Sequence, residues 1–152
     1  MTGTSETPAR LRALPSRLLS LTTGHADRLV GEALAGEDAR KWHYAVLAAL
    51  AEGGPASQAE LSRRTRVYRS DLVSVINELS ARGLVERTPD AADRRRNVIS
   101  VTAAGAERLR RLDTLLAAAQ DELLAPLAPA ERTELVRLLT VLADHHGQGD
   151  MP

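Results

Sequence analysis

The apolar positions of this chain recur at intervals of three and four residues over most of its length, a spacing typical of amphipathic helices. The first such pattern extends over residues 14–36, with Pro15 in the first turn, where a helix tolerates proline. The second runs from about Ala39 to Glu52 and stops at Gly53-Gly54-Pro55. The apolar stripe of the first helix is formed by Leu14, Leu18, Leu21, Leu29 and Ala33, and the second helix is predicted to bury Trp42, Val46, Leu47 and Leu50.

Two shorter patterns follow and predict a helix-turn-helix. Ser57 and Glu60 have the spacing of a capping box at the start of a helix that ends near Thr65. A second helix, over about residues 68–82, stops at Gly83 and has an apolar face formed by Leu72, Val75, Ile76 and Leu79. Its exposed face is polar, as in a helix that enters a DNA groove, and carries Arg69, Ser70, Asp71, Ser74, Asn77 and Glu78.

A turn-rich basic loop over residues 88–97 comes next, between two short apolar stretches. It ends in the consecutive arginines Arg94, Arg95 and Arg96. Such a run in isolation is most often a solvated charged turn. A β-hairpin with a basic tip directly after a helix-turn-helix is instead the arrangement of a winged helix, so residues 85–102 are predicted to form a wing.

Two further helical patterns run from Ala103 to about Leu124 and from Glu131 to His145, with Pro126 and Pro129 ending the first of them. These patterns are longer than one small domain needs for its own core. Residues 14–36 and 103–146 are therefore predicted to be dimerisation helices, although periodicity alone also fits an intramolecular helical cap.

The predicted fold class is mainly α with a small β-hairpin wing, an α+β arrangement. A winged helix-turn-helix domain over residues 39–102 lies between the dimerisation helices. Residues 1–13 are predicted to form a flexible arm and residues 147–152 a disordered tail.

Composition narrows the function. The 152 residues carry no net charge, but the segment from Ser57 to Ser100 has nine arginines against six carboxylates. This local excess coincides with the predicted DNA-facing elements. Cysteine is absent, which excludes disulfides, thiolate metal sites and thiol redox sensing. With no long apolar run and a polar stretch over residues 1–8, we expect a cytoplasmic protein without membrane contact.

Several segments in order resemble the MarR family of bacterial transcriptional regulators. They are Gln58-Ala59-Glu60-Leu61, the stretch from Leu79 to Arg87, Asp93-Arg94-Arg95-Arg96, and the stretch from Ile99 to Gly105. With the flanking helices, the resemblance covers roughly residues 14–145. It implies a homodimer whose outer helices form the interface, which binds a pseudo-palindromic DNA operator and releases it when a small ligand binds.

Candidate DNA contacts follow from the motif positions. The resemblance implies that Arg95 enters the minor groove and that Asp93 orients the tip, while Arg94 and Arg96 are expected to contact phosphates. Asp71 either reads a base or pairs with Arg69. The other candidates on the two helices of the motif are Ser57, Gln58, Ser70, Ser74 and Asn77.

The resemblance also implies an effector pocket where the first two helices and the fifth meet the DNA-binding lobe. A cation and an imidazole beside an indole suit an aromatic carboxylate or a phenol. The histidines fit partly exposed helix positions equally well, and the tryptophan fits the core. The candidates are Arg17, Thr22, His25, Arg28, Trp42, His43 and Tyr44.

No enzyme motif competes with this interpretation: the chain lacks a nucleophile elbow, a phosphate loop and a plausible carboxylate pair. We expect no metal site and no cofactor, since the histidines have no partners at ligand spacing. Two alternatives stay open. One is a winged-helix regulator that has no effector or that activates transcription, and the other is a winged-helix module for protein contacts.

Overall fold

A computed structural model describes residues 6–147 and confirms the predicted fold class, with helices around one two-stranded antiparallel sheet. The elements in chain order are α1 (Ala9–Arg12), α2 (Pro15–Ala35), α3 (Lys41–Gly53), α4 (Gln58–Thr65), α5 (Arg69–Ala81), β1 (Val85–Pro89), β2 (Asn97–Val101), α6 (Ala103–Leu123) and α7 (Pro129–Gly147). None of these helices is both long and apolar enough to span a membrane.

The helix ends follow local chemistry. Pro15 occupies the first turn of α2, and Gly54 ends α3 with a φ of 76°, which glycine adopts without strain. The Ser57 hydroxyl accepts a hydrogen bond from the Glu60 amide at 3.3 Å. The reciprocal half of the predicted capping box is replaced by an ion pair, since the Glu60 carboxylate lies 3.8 Å from Arg64 Nη2.

The core lies in the winged helix-turn-helix part of the chain, where α3, α4, α5 and the sheet pack together. Fully buried members of this core include Val46, Leu47, Leu61, Leu72 and Ile76, all at 0% exposure. Each such side chain contributes about 1.5–3 kcal/mol relative to an exposed one. The long helices differ: α6 buries only Gly105, Leu112 and Ala119, and α7 buries no residue.

Three expectations about the chain ends and the core need correction. Ala9–Arg12 form one helical turn inside the predicted flexible arm. Pro129 begins α7 instead of ending α6, because proline fits a first helical turn. Trp42 is half-buried at the edge of the core. Residues 1–5 of the arm and 148–152 of the tail lie outside the described residues.

Candidate nucleic-acid interface

A basic cleft of about 340 Å³ opens between the start of α4, the start of α5 and the wing. It brings together several of the predicted DNA contacts from segments far apart in the chain. Four arginines and no carboxylate line it, so its field favours a polyanion. The lining residues are Ser57, Gln58, Ala59, Arg69, Arg87, Arg95, Arg96, Asn97 and Ile99.

A short backbone bridge holds the two walls of the cleft together. The Ala56 amide donates to the Ile99 carbonyl at 3.0 Å, and the Ile99 amide donates back at 2.8 Å. Both residues are buried. The start of α4, with Ser57 as its N-cap, is thereby fixed beside β2, and its first residues line the cleft. The free amides at a helix start can bind an anion.

The wing tip is a structured turn. The Asp90 amide donates to the Arg96 carbonyl at 2.8 Å, and the Arg96 amide donates to the Asp93 carbonyl at 3.0 Å. Asp93 Oδ1 accepts from both the backbone amide and Nε of Arg95, each at 3.1 Å. These bonds from Arg95 hold the pKa of the Asp93 carboxyl below its usual range. Arg94 is exposed at the same tip.

The polar face of α5 is accessible at its N-terminal end, where Arg69, Ser70, Asp71 and Ser74 are all exposed. Asp71 lies in the first turn, where a negative charge stabilises the helix through its dipole. Within residues 6–147, no ion pair forms between Asp71 and Arg69. The helix dipole therefore favours an aspartate at this position, and the reading of a base by Asp71 stays a prediction.

Arg87 was not among the predicted site residues, yet it lines the cleft and its Nη2 donates a hydrogen bond to Oδ1 of Asn77. Asn77 is thus tied to β1, with its amide nitrogen left for other contacts. The two-residue alternation of side chains along a β-strand could have predicted the position of Arg87. Val85 and Arg87 are two residues apart, so they share the face of β1 that packs on α5.

A second cluster that the sequence did not predict lies between α3 and α5 and consists of Arg40, His43 and Glu78. His43 is 2% exposed, and its Nε2 lies 2.6 Å from Oε2 of Glu78. Arg40 Nη2 lies 2.7 Å from both oxygens of the same carboxylate. Glu78, predicted to be exposed, is therefore half-buried between α3 and α5, and His43 is a core residue instead of a partly exposed one. A separation of 35 residues gave no local signal of this pairing.

The effector candidates have different surroundings. On α2, the exposed Thr22 hydroxyl donates to the Leu18 carbonyl at 2.7 Å, and Arg28 lies 3.5 Å from Glu32. Arg17 and His25 are also exposed on α2. On α3, Lys41 Nζ stands 4.5 Å from the centre of the Trp42 ring.

Tyr44, the remaining candidate on α3, has its polar atom engaged. Its hydroxyl donates to Asp113 Oδ1 of α6 at 2.6 Å, and this bond raises the pKa of Tyr44 to about 12. His43 and Tyr44 thus form internal links from α3 to α5 and α6. In the part of the chain from residue 6 to 147, no three side chains of His, Asp or Glu cluster as metal ligands would.

Comparison with known sequences identifies relatives of this chain. The sequence model of the MarR family matches residues 38–96. The HTH-type transcriptional repressor NicR of Pseudomonas putida is 32% identical over 101 residues, covering 66% of this chain but only 64% of NicR. The chain thus spans less than two thirds of that relative. Transcriptional regulator HosA of Escherichia coli O157:H7 is 30% identical over 102 residues, covering 67% of this chain and 76% of HosA.

Solved structures share the whole architecture. A mutant MarR of Escherichia coli complexed with operator DNA superimposes with a TM-score of 0.76 at 25% identity, covering 90% of this chain and 99% of that one. The PcaV transcriptional regulator of Streptomyces coelicolor, in complex with its natural ligand, gives a TM-score of 0.74 at 28% identity, covering 91% and 97%.

Proposed function

The chain belongs to the MarR family, and we propose that it is a homodimeric, cytoplasmic transcriptional repressor. It binds a pseudo-palindromic DNA operator and is released by a small ligand. One observation carries the proposal: the basic cleft joins the starts of both motif helices to the wing without a carboxylate in its lining. Its relatives NicR and MarR are a transcriptional repressor and a protein complexed with operator DNA, respectively.

On DNA, the start of α5 enters the major groove and the wing lies over the adjacent minor groove. Arg69, Ser70 and Ser74 are the exposed groups on α5 that reach bases or phosphates. Ser57 and Gln58 contact a phosphate through the start of α4. On the wing, Arg95 inserts into the minor groove while Arg94 and Arg96 contact the flanking phosphates.

Exposed apolar side chains support the proposed dimer. They are Leu14 at the N-cap of α2, Leu18, Leu19 and Leu21 on α2, and Val136, Leu138, Leu139, Val141 and Leu142 on α7, each between 39% and 59% exposed. Helices that expose this much apolar surface bury it against another copy in a stable protein. Two-fold symmetry then presents two α5 helices to successive major grooves, which requires an operator with inverted half-sites.

For the ligand, we propose an aromatic carboxylate or a phenol bound between α2, α3 and α6. PcaV, a relative of similar architecture, forms a complex with a natural ligand. Arg17, His25 and Arg28 on α2 supply exposed cationic or hydrogen-bonding groups, and Trp42 supplies an aromatic face. Release requires only that the ligand prefers a dimer geometry whose α5 helices no longer match the groove spacing.

In vitro selection from a random duplex library tests the DNA-binding function. We expect the chain to enrich an inverted repeat with half-sites about one helical turn apart. Affinity for this selected duplex should fall steeply as salt rises, since each phosphate contact releases counterions. A selection that enriches no duplex above the starting library contradicts the proposal. Operator release by aromatic acids, measured on the same duplex, then tests the ligand class.

A further inference from the structure

His43 uses both of its ring nitrogens inside the protein. Its Nδ1 accepts a hydrogen bond from the Arg40 amide at 2.9 Å, at the start of α3. Since Nδ1 must carry a lone pair for that bond, Nε2 carries the proton and donates it to Glu78 Oε2 at 2.6 Å. The neutral ring is therefore fully bonded, and a second proton on Nδ1 would oppose the Arg40 N–H.

The three charged groups that face this ring come from the start of α3 and the C-terminal part of α5. Arg40 precedes α3, Glu78 belongs to α5, and Arg82 caps the end of α5. Arg82 in turn donates to the Asp38 carbonyl at 2.6 Å and lies 3.3 Å from its carboxylate. Burial is the largest influence on His43 and lowers its pKa below the usual value, against the opposing effect of Glu78.

These contacts hold α5 at its C-terminal half. Glu78 and Arg82 are both bound to the segment from Asp38 to His43. The DNA-facing residues lie at the other end, where Arg69 is nine residues from Glu78, or about 14 Å along a helix. A tilt of about 5° at Glu78 displaces the Arg69 end by about 1 Å, which exceeds the tolerance of a preorganised site.

We propose that Arg40 and His43 are positioning residues for α5: by holding the Glu78 carboxylate they set the angle at which the helix enters the DNA groove. This inference rests on the proposed DNA-binding function. It concerns sequence-specific binding, because the arginines of the cleft are untouched and sequence-independent attraction to phosphates depends on their charge.

The test compares binding of full-length variants to the selected duplex and to a scrambled duplex by fluorescence anisotropy. His43→Asn keeps an acceptor for the Arg40 amide but is too short to reach Glu78. We expect it to lower the ratio of specific to scrambled binding about five- to thirtyfold. Glu78→Gln should cause a smaller loss in the His43→Asn background than in the native chain, because the His43 contact is already broken there and only the Arg40 pair is left to lose.

The pH profile separates positioning from simple destabilisation. Because burial lowers the pKa of His43, specific affinity of the native chain should fall at acidic pH, below the ordinary pKa of histidine, as His43 gains a proton, whereas His43→Asn should not show this component. If His43→Asn fails to fold, Arg40→Gln, which alters an exposed side chain, replaces it. Lys41→Gln is the matched control, since it removes one positive charge at the neighbouring exposed position without touching Glu78.

Three results would overturn the inference. An unchanged specificity ratio in both His43→Asn and Arg40→Gln, with a selected duplex in hand, removes the positioning role and leaves the proposed function intact. An equal loss of the specificity ratio in Arg40→Gln and Lys41→Gln would mean that the loss comes from the removed charge alone, which also overturns the inference. A native chain that selects no duplex contradicts the proposed function, and the inference falls with it.

Discussion

Asp93 Oδ1 accepts two hydrogen bonds from Arg95, one from its backbone amide and one from its Nε, both at 3.1 Å. The arginine side chain is nevertheless 91% exposed. A guanidinium that is held along one edge by a carboxylate while the rest of the side chain is open to solvent has a defined direction and loses less conformational freedom on binding. This pair therefore prepares the wing tip for insertion into a groove.

The first prediction concerns that tip. Arg95→Ala should weaken binding to the selected duplex by about 1–3 kcal/mol, because it removes both a charge and the groove contact. Fluorescence anisotropy titration measures the effect. Arg10→Ala, which removes an equal charge on α1 outside the cleft, should leave the affinity nearly unchanged. Equal affinities for Arg95→Ala and the native chain would exclude the proposed role of Arg95.

Arg96 and Arg69 line the same cleft but should affect binding differently. Arg96→Ala is expected to weaken binding to all duplexes alike and to reduce the slope of log affinity against log salt by about 1. Arg69→Ala should also relax the preference for a base in each half-site. Repeating the selection with each variant reports the base preference, and titrations across a salt series report the slope. A changed consensus with Arg96→Ala would assign that arginine to base reading instead.

Val141 is 57% exposed on α7, and Leu18 is 49% exposed on α2. If these helices form the proposed dimer interface, Val141→Glu buries a charge there and should shift the chain to a monomer. Light scattering after size-exclusion chromatography gives the mass. Gln120→Glu adds the same charge at an exposed polar position of α6 as the control. A dimer that persists in both Val141→Glu and Leu18→Glu would exclude this interface.

Gly105 lies in the first turn of α6, where a Cβ atom would stand 2.1 Å from the Leu84 carbonyl oxygen. Gly105→Ala should therefore lower the free energy of unfolding by about 2–3 kcal/mol, since backbone has to move. Gly24 of α2 has no atom within 4 Å of the same position. Gly24→Ala should raise stability by about 0.5–1 kcal/mol through helix propensity. Urea unfolding measures the free energy of unfolding of both variants. A change in the same direction in Gly105→Ala and Gly24→Ala would contradict this prediction.

Tyr44 gives a prediction at high pH. Its bond to Asp113 raises the pKa of Tyr44 to about 12, so the folded chain keeps a proton that the unfolded chain loses from about pH 10. The free energy of unfolding should consequently fall as pH rises from about 10 to 12. Tyr44→Phe should lack this component and should be about 1 kcal/mol less stable at neutral pH. Urea unfolding across this range checks it; equal slopes for both chains would exclude Tyr44 as the source.

The sequence predicted the helix order and the hairpin because each depends on local patterns. The apolar spacing in α5 and the stop at Gly83 involve residues within a few turns of one another. The wing follows from two short apolar stretches around a turn-rich loop. The family resemblance used the same segments, and the matching family model over residues 38–96 agrees with it.

The pairings across elements could not be predicted in this way. The bonds from His43 to Glu78, from Tyr44 to Asp113 and from Arg87 to Asn77 join residues separated by 35, 69 and 10 positions. For a single histidine or tyrosine on a helix, the neighbouring residues in the sequence do not indicate which distant side chain it will hydrogen-bond. Side chains that look free for a ligand in the sequence therefore turn out to be internal links.

By itself, the sequence determined the order of the long helices, where positive charge concentrates, and that the arginine-rich turn follows a helix-turn-helix. Only the tertiary structure decided which arginines share one cleft and which polar residues are occupied. The physical reason is that periodicity and capping act over a few residues, whereas hydrogen bonds and ion pairs form between groups that only folding brings within about 3 Å.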